Sequence, residues 1–218
     1  MNKLEQENDA LREELRLVKL GKRKSANGFT LVRPTKDGAV LASRTITIEE
    51  LAEGMASGSY AKAKKGGKTV TIPGIVLNRF NKRRRYIDLV ALTGWIAFDI
   101  DKLNEKYPHI PTPAVTKYIR ERLARHPKIR LAFVSQSGNG VKALGYFRKP
   151  SVSVSDLRST DATVSNEARA AVRRYYLKKI KDLRPLLGLY SEVEFDLAQG
   201  VTTQVLYVSH DPDLIFKP

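Results

Sequence analysis

The most apolar stretch of the chain, Tyr86 to Ile100, closes on Ile96-Ala97-Phe98-Asp99-Ile100-Asp101. A short apolar run of this kind reads as a buried strand, here one that ends in acids. Such a strand needs a core around it. The chain can supply one: it has 218 residues, of which 42% are hydrophobic. That is enough for one large domain or two small, intimately packed ones.

Strand and helix patterns flank this run. Residues 1–20 read as a short amphipathic helix with Leu4, Leu11 and Val18 seven apart and Asn8 and Leu15 between them. That is a coiled-coil pattern, so a dimer or partner contact through this helix is one reading and packing on the body another. Gly21 to Gly28 is a basic linker, and residues 29–218 form the main domain. The chain turns β-like from Phe29. Thr47 with Glu50 three residues on predicts a capping box, with a helix to about Ala56. Lys62 to Lys68 is a Gly/Lys loop, and Val70 to Ile75 a strand broken by Pro73-Gly74. Pro111 to His126 predicts a helix with Val115, Ile119 and Leu123 inward. Ile129 to Ser135 and Val141 to Phe147 predict a hairpin across Ser137-Gly138-Asn139-Gly140. Ser151 to Ser165 reads as a loop, Asn166 to Leu187 as a basic helix, and Val193 to Leu197 and Gln204 to Ser209 as strands. This mixed order predicts α+β or α/β.

Charge narrows the partners. Lys and Arg number 39 against 23 Asp and Glu, a formal net charge of +16. The cations cluster in runs: Lys22 to Lys24, Lys62 to Lys65 (Lys64 and Lys65 within it), Lys82-Arg83-Arg84-Arg85, and Arg173-Arg174 through Lys181. A polyanion is the natural partner, because neutralised phosphates release counterions. No basic run lies on a clear amphipathic face, which argues against a membrane partner. There is no cysteine, hence no disulfide or thiolate metal site. Residues 1–20 do not read as a signal peptide and no run reaches the length of a membrane span, so a soluble, cytoplasmic protein is expected.

Three groups of residues can carry chemistry. Asp99 and Asp101 are two apart, so on a strand they share a face. Paired carboxylates at a strand end suit a hard divalent cation, or are simply two exposed acids with an arginine partner. The turn Ser135-Gln136-Ser137-Gly138-Asn139-Gly140-Val141-Lys142 offers glycine backbone, hydroxyls and an ammonium to a phosphate, or is simply a hairpin turn. Asp196 is a candidate third carboxylate, or a turn residue, and Ser209 and His210 are candidate phosphate contacts. No G-x-S-x-G elbow occurs, and His109, His126 and His210 lack zincin spacing.

In this order the motifs resemble the primase-polymerases of the archaeo-eukaryotic primase superfamily, in the bacterial branch of mobile elements and CRISPR-associated proteins. The resemblance rests on Phe98-Asp99-Ile100-Asp101, on Ser135 through Lys142, on Phe195-Asp196 and on Ser209-His210-Asp211-Pro212-Asp213. It spans roughly residues 29 to 216. Lys142 stands near where many members place a histidine, and Gln204 where an arginine is expected. The resemblance implies an RRM-like catalytic module packed with an N-terminal α/β module. It implies a DNA-directed nucleotidyltransferase with Mg²⁺ or Mn²⁺ in a two-metal site on Asp99, Asp101 and Asp196. Ser135, Ser137, Gly138, Asn139, Gly140, Lys142, Ser209 and His210 would hold a dNTP or NTP. The basic runs would track a single-stranded DNA template and primer. A non-catalytic nucleic-acid-binding replication protein and a metal-dependent nuclease are the alternatives.

Overall fold

A computed structural model describes residues 28–34, 40–60, 64–65, 68–69, 74–81, 85–190, 192–197 and 203–218. The predicted helix over 1–20, and all of the linker but Gly28, lie outside them. In chain order the described elements begin with β1 (Phe29–Pro34), β2 (Val40–Ile46), α1 (Ile48–Ala56), β3 (Lys64–Lys65) and β4 (Lys68–Thr69). They continue with β5 (Gly74–Val76), β6 (Arg79–Phe80), β7 (Leu89–Ala91), β8 (Trp95–Ile100), α2 (Leu103–Lys106) and α3 (Thr112–Arg125). The last are β9 (Ile129–Val134), β10 (Val141–Tyr146), α4 (Val154–Arg158), α5 (Ala162–Leu183), β11 (Val205–Tyr207) and β12 (Ile215–Phe216). The fold is α+β, with antiparallel sheets.

Two four-stranded sheets, ordered β11-β5-β1-β2 and β12-β9-β10-β8, form the body. The second sheet is buried on both faces, which is why β8 reads as an unbroken apolar run. Ile96, Phe98 and Ile100 pack with Val115, Ile119 and Leu123 of α3 and Val172, Tyr176 and Ile180 of α5. Trp95 and Ala97 point the other way, into a cluster with Phe29 and Leu31 of β1, Ile75 of β5 and Leu51 and Met55 of α1. Each fully buried side chain of this size contributes about 1.5–3 kcal/mol.

Local signals set most boundaries. Thr47 Oγ1 accepts from the Glu50 N–H at 3.2 Å while Glu50 Oε2 accepts from the Thr47 N–H at 2.8 Å, the expected capping box. The expected loop over Ser151 to Ser165 is instead helical in two places. Ser153 caps α4, and Asp161 Oδ1 accepts from the Thr163 and Val164 N–H groups at 2.8 and 3.3 Å, so α5 starts four residues ahead of Asn166. The Ser and Asp that suggest a loop are also the residues that cap helices. The Gly/Lys loop contains the short β3–β4 ladder. Of the strand expected over Val70 to Ile75, the described part is Gly74–Val76, and residues 70–73 lie outside the description. Val193 to Leu197 forms no ladder among the described residues. Val193 and Phe195 are instead buried in the helix-side core, with Phe195 edge-on to Phe98 at 6.1 Å.

Asp211 ties the C-terminal segment to this frame. Its buried carboxylate pairs with Arg120 Nη1 of α3 at 3.2 Å and accepts the Val134 N–H of β9 at 2.7 Å and the Asp213 N–H at 3.0 Å. Among the described residues no helix is long and apolar enough to cross a membrane. Replacing Asp211 by Ala leaves Arg120 charged and buried without its partner, so Asp211→Ala should lose about 3–5 kcal/mol in urea unfolding. A loss below about 1 kcal/mol would mean that this network is peripheral.

Candidate functional site

The site is built on the pairing of β8 with β10. Their antiparallel register sets Lys142 opposite Asp99, and alternation places both on the face shared with Ala97 and Leu144, beyond the last apolar residues. Both side chains are largely buried, and the Lys142 ammonium donates to Asp99 Oδ2. Burial pushes the Asp99 carboxyl above its ordinary value of 3.8, the Lys142 charge and hydrogen bond pull it back, and the charges of Asp101 and Asp196 push it up again. Among the described residues, three carboxylates and the Lys142 ammonium therefore share one edge.

Asp196 reaches this edge through the backbone, where its N–H donates to the Asp99 carbonyl at 2.7 Å. Asp101 lies one residue past the strand and is exposed. Lys102 follows it in the left-handed region, at φ 60° and ψ 34°, uncommon for a side chain of its size, and turns the chain sharply into α2.

The turn from β9 to β10 closes over the same edge. The Ser135 N–H donates to the Gly140 carbonyl at 2.8 Å, and the Gly138 N–H to the Ser135 carbonyl at 2.9 Å. Gly138 adopts φ 76°, which glycine allows at little cost. A Cβ on Gly140 would collide with the Ile100 carbonyl and lie 2.7 Å from Asp101 Oδ1 and 3.1 Å from Ser135 Oγ. Only glycine lets the acidic strand end and the serine turn meet. Ser135 and Ser137 are joined through their hydroxyls at 3.2 Å, and the Asn139 N–H donates to Ser137 Oγ at 3.4 Å. The Asn139 carbonyl accepts the Leu103 N–H at 2.8 Å, locking the turn to the segment after Asp101.

Ser209 and His210 are placed differently. Ser209 is buried, and its hydroxyl donates to the Val134 carbonyl at 2.7 Å, beside Ser135. His210 is exposed, and its Nδ1–H donates to the Met55 carbonyl at the end of α1 at 2.8 Å. That bond leaves Nε2 to accept, or to donate when the ring is protonated. Arg173 and Arg174 sit on the exposed face of α5. Arg85 pairs with Asp88 at 3.1 Å. Lys64 and Lys65 lie on β3, while Lys82, Arg83 and Arg84 fall outside the described residues. Among the described residues no hydrogen bond or ion pair joins His210, Arg173 or Arg174 to the acidic edge.

Sequence reasoning missed the ion pair. Lys142 reads as a phosphate contact, because nothing local says that β10 pairs with a strand some forty residues upstream. The donor set suits a hard cation in kind, since carboxylate oxygens are what Mg²⁺ and Mn²⁺ take. Among the described residues, however, no three His, Asp or Glu side chains are already gathered tightly enough to hold a metal. A cation held by Asp99 would share that carboxylate with Lys142 or displace it.

A carboxyl NMR titration reads these electrostatics directly. The Asp99 midpoint should lie above 3.8, and Lys142→Met should move it higher, because the ammonium favours the ionised form. Since the folded midpoint exceeds the unfolded one, the carboxyl's stability contribution is full below pH 3.8 and is lost as the pH rises through the folded midpoint. A midpoint that Lys142→Met leaves in place would contradict the pairing.

Comparison with known proteins places the chain in a family. No curated protein and no solved structure matches it. The family model described as BT4734-like, N-terminal domain, matches residues 70–216, which include Asp99, Asp101, the Ser135 to Lys142 turn and Asp196. By this match over most of its length, the chain belongs to the BT4734-like N-terminal domain family.

Proposed function

We propose that this chain is a template-dependent nucleotidyltransferase, a primase or DNA polymerase of the primase-polymerase kind. One observation carries the reading: Asp99, Asp101 and Asp196 share an edge that the serine- and glycine-rich turn closes. The element order supports it too. Among the main elements the order is strand, helix, hairpin and helix in β8, α3, β9–β10 and α5, and Asp196 then bonds through its N–H to the end of β8, near where a last strand of a split β-α-β module belongs. An RRM-like catalytic module packed on an N-terminal sheet accommodates this order.

Asp99, Asp101 and Asp196 would hold Mg²⁺ or Mn²⁺. When bound, such ions activate a 3′-hydroxyl and neutralise charge on a pyrophosphate leaving group. The chain's own groups do the rest. The Ser135 and Ser137 hydroxyls and the backbone around Gly138 and Asn139 cradle the triphosphate. The Lys142 ammonium turns from Asp99 to the phosphates, so that its charge stays compensated throughout. The net charge of +16 supplies non-specific hold on a template strand.

Primer extension on single-stranded DNA with all four dNTPs and Mg²⁺ or Mn²⁺ tests this. The native chain should extend the primer, and Asp99→Asn/Asp101→Asn should lose about a hundredfold or more. The Lys142–Asp99 ion pair favours a second reading, a nucleic-acid-binding replication protein that has given up catalysis. No extension by either protein, with salt-sensitive DNA binding in both, would select it. Loss of the template itself would select a nuclease.

A further inference from the structure

We infer that a groove at the far end of the β8–β10 pair binds single-stranded nucleic acid through its phosphate backbone. The inference rests on the reading that the chain's polyanion is a nucleic acid, and not on catalysis. The groove holds about 500 Å³, in the range of ligand sites. Arg79, Lys128, Arg148 and Lys149 line it together with Tyr146 and Phe147. No Asp or Glu is among the lining residues. None of these four cations belongs to an ion pair among the described residues, whereas Arg85, Arg120 and Lys142 each do. Four like charges around one concavity repel one another until an anion arrives.

Backbone hydrogen bonds fix the frame of the groove. The Phe147 N–H donates to the Gly94 carbonyl at 2.7 Å, and the Tyr146 N–H to the Lys128 carbonyl at 2.8 Å. The Tyr175 hydroxyl holds the Arg148 carbonyl. A Cβ on Gly94 would collide with the Phe147 carbonyl and crowd the Tyr146 ring at 3.1 Å, so a glycine keeps this floor open. Tyr146 is steadied against Trp95 at 5.1 Å, and Phe147 against Phe98 at 6.1 Å and His126 at 6.2 Å. Cations that track phosphates beside aromatic faces that meet bases are what a sequence-independent single-strand site needs. Asp99 lies five residues along the strand from Gly94, about 17 Å at 3.4 Å per residue. The groove is thus distinct from the acidic edge, and a single strand crossing the sheet would meet both.

The test is fluorescence anisotropy with a labelled thirty-nucleotide oligo-dT across a salt series. Arg79→Gln/Lys128→Gln/Arg148→Gln/Lys149→Gln should bind at least about tenfold more weakly. Its slope of log affinity against log salt should be shallower by about 0.7 for each phosphate that is no longer neutralised, or about 3 for all four. Arg148→Gln/Lys149→Gln should show about half that slope change, and it serves as the readout if the fourfold variant does not fold. Asp99→Asn/Asp101→Asn, which removes negative charge from the acidic edge, should bind no more weakly than the native chain. Affinity within twofold and an unchanged slope in a folded groove variant would overturn the inference. So would dTTP alone displacing the oligonucleotide at its own groove-dependent affinity, since the occupant would then be a free nucleotide. Groove-dependent strand binding without primer extension would sink the nucleotidyltransferase reading and leave this one standing. Extension that needs Asp99, with binding indifferent to the groove, would do the reverse.

Discussion

The pairing of β8 with β10 is the constraint on which the rest of this structure depends. It places Lys142 opposite Asp99 at one end and Tyr146 opposite Trp95 at the other. Because the sheet is covered on both faces, the carboxylate at the end of β8 is drawn out of water, and a buried charge needs a partner. The ammonium across the ladder is one such partner. Breaking such a pair from one side costs about 3–5 kcal/mol, so whatever displaces Lys142 must offer Asp99 a replacement cation and Lys142 a replacement anion. A metal-bound triphosphate brings both.

The same strand pair divides charge along its length. Acids gather at the end of β8, under a turn that glycine alone allows to approach them. Cations that form no ion pair among the described residues gather at the other end, on backbone fixed by Gly94 and Phe147. A polyanionic strand is drawn to the basic end and repelled by the carboxylates at the acidic one unless cations are bound there. That polarity gives the sheet a direction for a nucleic acid to follow.

Much of this frame was legible in the sequence where signals are local. Thr47 and Glu50 announced the cap of α1, Val115, Ile119 and Leu123 the buried face of α3, and Asn139-Gly140 the β9–β10 turn. Asp99 and Asp101 marked the end of β8. What stayed hidden depends on distant partners. The Lys142–Asp99 pair follows from a strand pairing made across two helices and a third strand. Asp211 read as part of a closing motif, and only the fold shows that it anchors Arg120 and the Val134 amide. Ser153 and Asp161 misled because one side-chain chemistry serves loops and caps alike. Val193 to Leu197 has the composition of a strand, but packing of Val193 and Phe195 against the helices wins over a ladder.

The most direct measurement of the central claim is a crystal of the chain soaked with Mn²⁺ and a non-hydrolysable dNTP, read by anomalous diffraction. A manganese peak among Asp99, Asp101 and Asp196, with Lys142 turned onto the triphosphate, is the expected result. Lys142 still bonded to Asp99, with no anomalous density at that edge, would contradict a metal-dependent phosphoryl-transfer site there.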